Sequence, residues 1–410
     1  MAAGGHRTSV AAGLIRALEA VGRAPPRGDD GVVSRSLFDP VLPIERTSRR
    51  FWDVRASRSF TAARRLMDEL FTEFRDVDGS FVREFQTTGF SPRVFELALF
   101  AYLREQEYDL DRSSPTVDFL VAGESPVAIE ACTSNPAQGR EDVTLPASGW
   151  PSIPDDLPAE ERDFIFQSGK ALRRKLLKRD AAGRAYWDLP QVSGVPFVIA
   201  LQSFHNLSAL FHSVGLLSQY LYGSRDVVSY DADGALQLTP EQIGQHVYAG
   251  KSIPSGLFAL PEAANLSAVL FSNSSTMSLF NRMGTERGYS PSDVAMIRVG
   301  TIADPDPNAT KPRLFGHLVR PEQPEQRETF GEGLHVLHNP WAQIPLRTGV
   351  LRGVTEHQRL DDGRVLTTTT RLSPFTSQTL IFEGTGAQKH ALRQLARFLS
   401  TDTSGSAERR

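Results

Sequence analysis

The spacing of hydrophobic residues predicts two amphipathic helices in the first quarter of the chain. Apolar side chains recur every three or four positions between residues 66 and 74, and again between residues 95 and 103. On a helix this spacing collects the apolar side chains on one face, which must be buried against the rest of the protein. We expect the second helix to occupy residues 81–106, with Ser91 as its N-cap and Pro92 in its first turn.

After that helix the pattern changes to an alternation with a period of two, which is typical of strands. Three short strands are predicted, with the sequences EYDL, PTVDFLV and PVAIEACTS. The last two are joined by the turn AGES, in which Gly123 can adopt a positive φ. Asp118 and Glu130 are about equally far from this turn, so we expect them to lie opposite each other on one face of the ladder. A buried strand, GVPFVIAL, follows at residues 194–201.

Three carboxylates are candidates for one site: Glu96 on the second helix, and Asp118 and Glu130 on the two strands. Two like charges directly opposite each other destabilise a sheet unless a cation lies between them. Carboxylate oxygens are ligands that suit divalent Mg²⁺ and Mn²⁺. The pattern therefore predicts a metal site made by these acids. For Glu96 the alternative is a structural role, for example an ion pair with Arg93 three positions earlier.

The chain as a whole divides into four expected regions. These are a flexible N-terminal arm (1–35, with a short helix from Ser9 to Val21), a core with its preceding helices (36–205), an α+β extension packed on that core (206–400) and a disordered tail (401–410). Further expected elements are an irregular segment at 134–160, a basic helix at 161–187, helices at 206–221, 274–283 and 388–399, and a hairpin turning at Asp362 and Gly363. Gly284 is expected to end the helix that begins at residue 274.

Composition limits the classes of protein to which the chain can belong. With 410 residues, of which 40% are hydrophobic, it can bury a large core. A net charge of −3 gives no global attraction to nucleic acid, so a polyanion site would need local basic patches. The single cysteine, Cys132, excludes an internal disulfide. Arg16 and Glu19 interrupt any signal-peptide core, and no apolar run approaches the roughly 18–20 residues that span a bilayer, so we expect a cytoplasmic protein.

Two basic stretches could supply such patches. Residues 45–65 carry arginines interleaved with aromatic side chains, a combination suited to phosphate contact and base stacking, and the helix expected at 161–187 is also basic. The candidate nucleic-acid contacts are Arg49, Arg50, Lys170, Arg174 and Lys178. The alternative is that both stretches are solvated helix faces.

The stretch from Phe90 to Thr133 resembles the PD-(D/E)XK nuclease superfamily, in which a helix, a three-stranded meander, a second helix and a strand form the core. The residues that carry the resemblance are Glu96 in FSPRVFELALFAYL, Asp118 in PTVDFLV and Glu130 in PVAIEACTS. More broadly, segments across residues 80–382, among them GVPFVIALQSFH and LHNPWAQIPL, resemble a bacterial family with such a core and a variant motif. The resemblance implies an α/β fold with a restriction-endonuclease-like αβββαβ core, a mixed central sheet and bound Mg²⁺ or Mn²⁺.

The chain departs from the superfamily pattern at one position. The lysine expected two residues after Glu130 is replaced by Cys132. Some members of the superfamily place a lysine on the following helix instead, which makes Lys175 the leading candidate here, with Lys170 and Lys178 behind it. Cys132 as a nucleophile would need a base such as His205 or His338, and a small hydrophobic residue in a strand is the better interpretation.

The resemblance implies a metal-dependent nuclease that hydrolyses phosphodiester bonds, with Glu96, Asp118, Glu130 and Lys175 as catalytic residues. DNA processing, restriction and phage defence are the roles that this implies. The expected partner is nucleic acid, DNA in preference to RNA, with no membrane association and with a homodimer left open. One alternative is a catalytically degenerate member that acts as a nucleic-acid-binding or scaffolding module. Another is a small-molecule hydrolase that uses the same acids.

Overall fold

A computed structural model describes residues 36–77, 79–111, 117–136, 154–321, 327–369 and 372–404. Three expectations fall wholly or largely outside these ranges. They are the arm with its helix at Ser9–Val21, most of the irregular segment at 134–160, and most of the tail after residue 401.

The described chain alternates between helices and strands. Its α-helices are α1 (Arg49–Ala56), α2 (Thr61–Glu73), α3 (Phe81–Phe85), α4 (Phe90–Glu105), α5 (Leu157–Leu176), α6 (Val214–Tyr222), α7 (Met277–Glu286) and α8 (Ala387–Ser404). Its strands are β1 (Leu110–Asp111), β2 (Phe119–Val121), β3 (Val127–Ser134), β4 (Phe197–Ser203), β5 (Ser224–Tyr230), β6 (Leu236–Gln242), β7 (Gln245–Tyr248), β8 (Lys251–Pro254), β9 (Ala268–Ser272), β10 (Val294–Ile302), β11 (Arg313–Leu318), β12 (Leu334–His338), β13 (Thr355–Arg359), β14 (Val365–Thr368) and β15 (Pro374–Glu383).

A mixed eight-stranded sheet forms the centre of the fold, which confirms the α/β class. Its strand order is β1-β2-β3-β4-β9-β12-β13-β14. The first three strands form an antiparallel meander, whereas β3, β4 and β9 run parallel. The parallel step from β3 to β4 is bridged by α5, as a parallel connection requires a crossover. Strands from residues 268–368 extend the same sheet, so the sheet continues across the division expected at residue 205.

Helices cover both faces of this sheet, which explains why its central strands read as continuous apolar runs. One face packs against α1 to α4 and α7, with Phe95, Ile129 and Leu270 in the shared core. The opposite face packs against α5 and α6, with Leu172 and Ile199 in that core. Residues 129 and 130 of β3 therefore face different layers, and Glu130 faces the layer that contains α5.

A second, three-stranded sheet with the order β11-β10-β15 lies beside this arrangement and packs against α8. A buried ionic cluster joins it to α7. Arg282 of α7 donates two hydrogen bonds to Glu328, both at 2.6 Å, and Arg298 of β10 pairs with Glu328 at 3.3 Å and with Glu332. Each charge is compensated inside the protein, as burial of a charge requires.

Several helices end at other residues than their sequence patterns predict. The segment 81–106 forms two helices, α3 and α4, and α4 begins at Phe90 with Gly89 as its N-cap rather than Ser91. The basic helix expected to reach residue 187 ends at Leu176. Beyond it, Asp180 accepts hydrogen bonds from the backbone amides of Ala182 and Arg184 and so closes a turn. The segment 206–221 is likewise divided, into a 3-10 helix at Ser208–Phe211 and α6.

Gly284 does not end a helix but lies inside α7, so that expectation was wrong. A Cβ atom at this position would lie 2.3 Å from the carbonyl oxygen of Ala62 in α2. The glycine is therefore required by the close crossing of two helices, a tertiary constraint that the local sequence does not contain. The hairpin at Asp362 and Gly363 and the C-terminal helix are confirmed, although the helix extends over Ala387–Ser404.

Two buried histidines make the stability of the fold depend on pH. Nδ1 of His335 in β12 lies 3.1 Å from Nε2 of His357 in β13. Burial, with a smaller effect of the neighbouring imidazole, lowers the pKa of His335 to about 3, and burial lowers the pKa of His357 to about 4. In the unfolded chain both titrate near 6.5. Between these values only the unfolded chain binds the protons, so acid favours unfolding.

We therefore expect the free energy of unfolding to fall as the pH drops from 6.5 towards 4. Each of the two histidines should contribute up to about 1.4 kcal/mol per pH unit. Urea unfolding followed by circular dichroism at a series of pH values measures the slope. His357→Gln should reduce the slope, whereas His390→Gln, at an exposed position, should leave it unchanged. An equal slope in both variants would contradict the prediction.

Candidate active site

The hairpin formed by β2 and β3 places two of the predicted acids side by side. Phe119 pairs with Ile129 in the antiparallel register, so Asp118 and Glu130 are opposite each other at the open end of the hairpin. Gly123 has a φ of 98° in the connecting turn. The backbone amide of Ala131 donates a hydrogen bond of 2.6 Å to Oδ2 of Asp118 and so ties the two strands together. The two acids are thus close together, with Asp118 immediately before β2 rather than inside the longer strand that the sequence predicted.

Glu130 is buried, with 4% of its surface exposed, and two donors reach the same carboxylate oxygen. Nζ of Lys175 in α5 lies 2.5 Å from Oε1 of Glu130. The hydroxyl of Tyr186 donates to this oxygen over 2.5 Å. Both contacts are hydrogen bonds to a charged oxygen, which are shorter and stronger than those between neutral groups. Oε1 of Glu130 therefore accepts hydrogen bonds from both Lys175 and Tyr186.

The Asp118 carboxyl is in an unfavourable environment for a negative charge. Burial raises its pKa to about 8, and the charges of Glu130 and Glu96 add to the effect, while Lys175 opposes it. A carboxylate in this position is stabilised by a proton or by a cation that reduces the repulsion. With a pKa of about 8 the Asp118 carboxyl holds its proton at neutral pH, so a cation bound here would displace that proton.

Glu96 has the structural role considered as an alternative, an ion pair with Arg93. It is buried on α4 and forms an ion pair with Arg93, which also binds Glu84 at 2.8 Å. Its charge nevertheless contributes to the raised pKa of Asp118, so the two carboxylates are close enough to interact. The structure thus brings Asp118 and Glu130 together, whereas the contacts of Glu96 are with Arg93.

Lys175 lies on α5, the helix after β3, where the resemblance led us to expect a lysine. Burial alone would lower its pKa, but the charges of Glu130 and Asp118 outweigh burial and raise the pKa above its ordinary value. The amine therefore stays protonated and supplies a positive charge to the acids.

Cys132 is buried and faces the same helix layer. Its thiol contacts the carbonyl oxygen of Ala171 at 3.4 Å. Burial raises the pKa of the thiol to about 11, which keeps the sulfur protonated at neutral pH. Since the thiolate is the nucleophile, this environment favours the structural interpretation of Cys132.

The predicted nucleic-acid contacts differ in exposure. Arg49, Lys170, Arg174 and Lys178 are exposed. Arg50 is not, because 4% of its surface is accessible and Nη1 donates to Ser91 over 2.8 Å. Arg50 therefore stabilises the packing of α1 against α4, and the expectation that it contacts a ligand is corrected. The position of an arginine within a basic run did not indicate which face of the helix it occupies.

Two aromatic residues after α5 were not predicted as part of the site. Tyr186 contacts Glu130, and Lys178 lies over the Tyr186 ring with Nζ 5.1 Å from its centroid. Arg179 similarly lies 5.6 Å over the ring of Trp187. Both aromatic residues lie in the segment YWDLP. Nothing in this segment predicts that its tyrosine contacts Glu130 of β3.

The carboxylate oxygens of Asp118, Glu130 and Glu96 are the kind of ligand that Mg²⁺ and Mn²⁺ prefer. Across the described ranges, no three His, Cys, Asp or Glu side chains are already gathered closely enough to hold an ion.

The described helices include none that is long and apolar enough to cross a membrane. No protein-family profile, curated protein or solved structure matches the chain.

The Lys175–Glu130 pair can be tested by its contribution to stability. We expect Lys175→Met to lower the free energy of unfolding by roughly 2–3 kcal/mol at pH 7, because it leaves a buried carboxylate without its counter-ion. Adding Glu130→Gln should restore part of the loss, since a neutral amide needs no counter-ion. Urea unfolding of the two single variants and the double variant measures the coupling.

Lys170→Met is the matched control, because this lysine is exposed and lies on the same helix, α5. Its effect should stay within about 0.5 kcal/mol. Additive losses in the double variant would show that Lys175 and Glu130 do not stabilise each other.

Proposed function

We propose that this protein is a metal-dependent nuclease with a restriction-endonuclease-like core. The observation that carries the proposal is the pair of opposed acids, Asp118 and Glu130, with the Lys175 amine at one of them. The order of elements adds support. The chain runs in the order that the superfamily uses, which is the helix α4, the meander β1-β2-β3, the helix α5 and the strand β4. These four strands are neighbours in one sheet.

Asp118 and Glu130 would hold Mg²⁺ or Mn²⁺, with Glu96 beside them. A bound ion of this kind lowers the pKa of a coordinated water and offsets charge on a phosphate. Lys175 contributes a fixed positive charge next to Glu130, where it would stabilise negative charge that develops on a phosphate oxygen. The burial of Glu130 and Asp118 strengthens these interactions, because the local dielectric is lower than that of water.

The exposed basic residues at the end of α5 would bind the phosphate backbone. Arg174 and Lys178 are both exposed, and Arg174 lies close enough to the site to donate to the carbonyl of Thr133 at 3.2 Å. Contacts of this kind set the position of a strand without reading its sequence. We therefore propose nucleic acid as the substrate, DNA in preference to RNA. DNA processing, restriction and phage defence are the settings that such an activity fits.

Removal of either acid should abolish the activity. We expect Asp118→Ala and Glu130→Ala to reduce Mn²⁺-dependent cleavage of plasmid and single-stranded DNA by a factor of about 100 or more, because the metal charge at the phosphate is lost. Gel electrophoresis of time courses with Mn²⁺, Mg²⁺ or EDTA measures the cleavage.

Asp233→Ala, in the exposed turn between β5 and β6, serves as the control and should cleave at the wild-type rate. Cleavage that continues unchanged in Asp118→Ala and Glu130→Ala would contradict the nuclease proposal.

A second candidate function is nucleic-acid binding without catalysis. It is favoured by the departure at Cys132 and by the use of Oε1 of Glu130 for contacts with Lys175 and Tyr186. Such a protein would retain the basic surface while its acids served only to stabilise the fold.

The basic surface gives a prediction that both functions share. The double variant Arg174→Glu, Lys178→Glu should bind DNA more weakly and with a smaller salt dependence, because each lost phosphate contact lowers the slope of log K against log salt by about 0.9 on a duplex. Fluorescence anisotropy at several salt concentrations measures the slope. Arg225→Glu, on the distant hairpin β5–β6, should leave it unchanged. Binding without cleavage in any divalent metal would favour the non-catalytic function.

A further inference from the structure

The Tyr186 hydroxyl is directed at the site by packing that does not involve Glu130. The ring stacks on Phe197 of β4, with centroids 5.5 Å apart and an interplanar angle of 19°. The short 3-10 helix Tyr186–Asp188 is held by a 2.8 Å hydrogen bond from the Ala185 amide to the Asp188 carboxylate. Only 6% of the tyrosine is exposed. The position of the hydroxyl is therefore set by the fold.

The Lys175 side chain approaches the same carboxylate oxygen from α5, from a different element. A lysine alone is a weak orienting group, because its amine is a point charge on a flexible four-carbon chain. The tyrosine hydroxyl is fixed by a rigid ring, so its hydrogen bond to Oε1 has a defined direction, whereas that of the lysine amine does not. Together the two donors restrict rotation of the Glu130 carboxylate.

We propose that Tyr186 is a positioning residue of the metal site. By holding Oε1 of Glu130 together with Lys175, it leaves Oε2 as the oxygen offered to a hard divalent cation such as Mg²⁺ or Mn²⁺. Glu130 would then bind the ion through a single oxygen. The proposal rests on the metal site of the proposed function and assigns a role to a residue that the carboxylate–lysine motif does not include.

Residues that orient a metal ligand typically change metal affinity or activity by about 10–100-fold when they are removed. Tyr186→Phe deletes only the hydroxyl and keeps the ring stacked on Phe197. We expect this variant to bind Mn²⁺ about 10–100-fold more weakly in calorimetry. If the wild type cleaves DNA, the variant should need a correspondingly higher Mn²⁺ concentration and recover most of its rate when saturated.

Tyr222→Phe is the matched control. Tyr222 is buried to a similar extent, and its hydroxyl contacts the carbonyl oxygens of His338 and His357, both at 3.0 Å, in another part of the sheet. It should lose thermal stability on the scale of one hydrogen bond, as Tyr186→Phe does, but keep the Mn²⁺ affinity of the wild type. A merely structural role of Tyr186 would make the two variants alike in both measurements.

The outcomes separate this inference from the proposed function. Wild-type protein that binds Mn²⁺, with loss of binding in Glu130→Gln and wild-type affinity in Tyr186→Phe, would overturn the role of Tyr186 and leave the metal site standing. Wild-type protein that binds no Mn²⁺, or equal binding in Glu130→Gln, would overturn the metal site and the role of Tyr186 together. Weaker binding in Tyr186→Phe alone, with an unaffected Tyr222→Phe, supports both.

Discussion

A buried acid and a half-buried acid at the open end of the β2–β3 hairpin impose the main constraint on this structure. Asp118 and Glu130 lie opposite each other just beyond the last pair of the β2–β3 ladder, where burial and the charge of Glu130 raise the pKa of Asp118. Such an arrangement persists in a fold only where other groups compensate it. Lys175 and Tyr186 do so at Glu130, and the Ala131 amide does so at Asp118. The elements around the hairpin hold these three groups in place: α5 carries Lys175, the segment before β4 carries Tyr186, and β3 carries Ala131.

The crossover from β3 to β4 supplies both donors to Glu130. α5 lies on the face of the sheet to which Glu130 points, and its last turn brings Lys175 to the carboxylate. The chain then turns at Asp180 and returns to the sheet through Tyr186, whose ring stacks on Phe197 at the start of β4. One connection thus places a charge and a fixed hydroxyl on the same oxygen, while its exposed side carries Arg174, Lys178 and Arg179.

The second half of the chain stabilises this site indirectly. Strands β9 and β12 to β14 complete the central sheet, so that β3 and β4 lie in its interior rather than at an edge. The ionic cluster of Arg282, Arg298, Glu328 and Glu332 connects the second sheet to α7, which packs on the face opposite α5. The acids are therefore held in a sheet that is covered on both faces, where strand positions vary little and buried charges interact strongly.

The sequence by itself determined the local elements and the relation between the two strand acids. The alternation of apolar and polar residues around Gly123 is short-range information, and it was enough to place Asp118 opposite Glu130. Lys175 became a candidate only through the family resemblance, whereas its contact with Glu130 depends on how α5 packs on the sheet. Helix ends were less predictable, since Gly284 serves a crossing with Ala62 that only the packed helices create.

Only the tertiary structure decided which side chains meet across long distances in the chain. Tyr186 reaches Glu130 because the loop after α5 folds back on the sheet, and Arg50 is buried because α1 packs on α4. In both cases the residue type is compatible with several environments, and the choice depends on the orientation of an element relative to a distant partner. The spacing of apolar residues predicts whether a segment is a helix or a strand, but it does not predict which other element packs on each face.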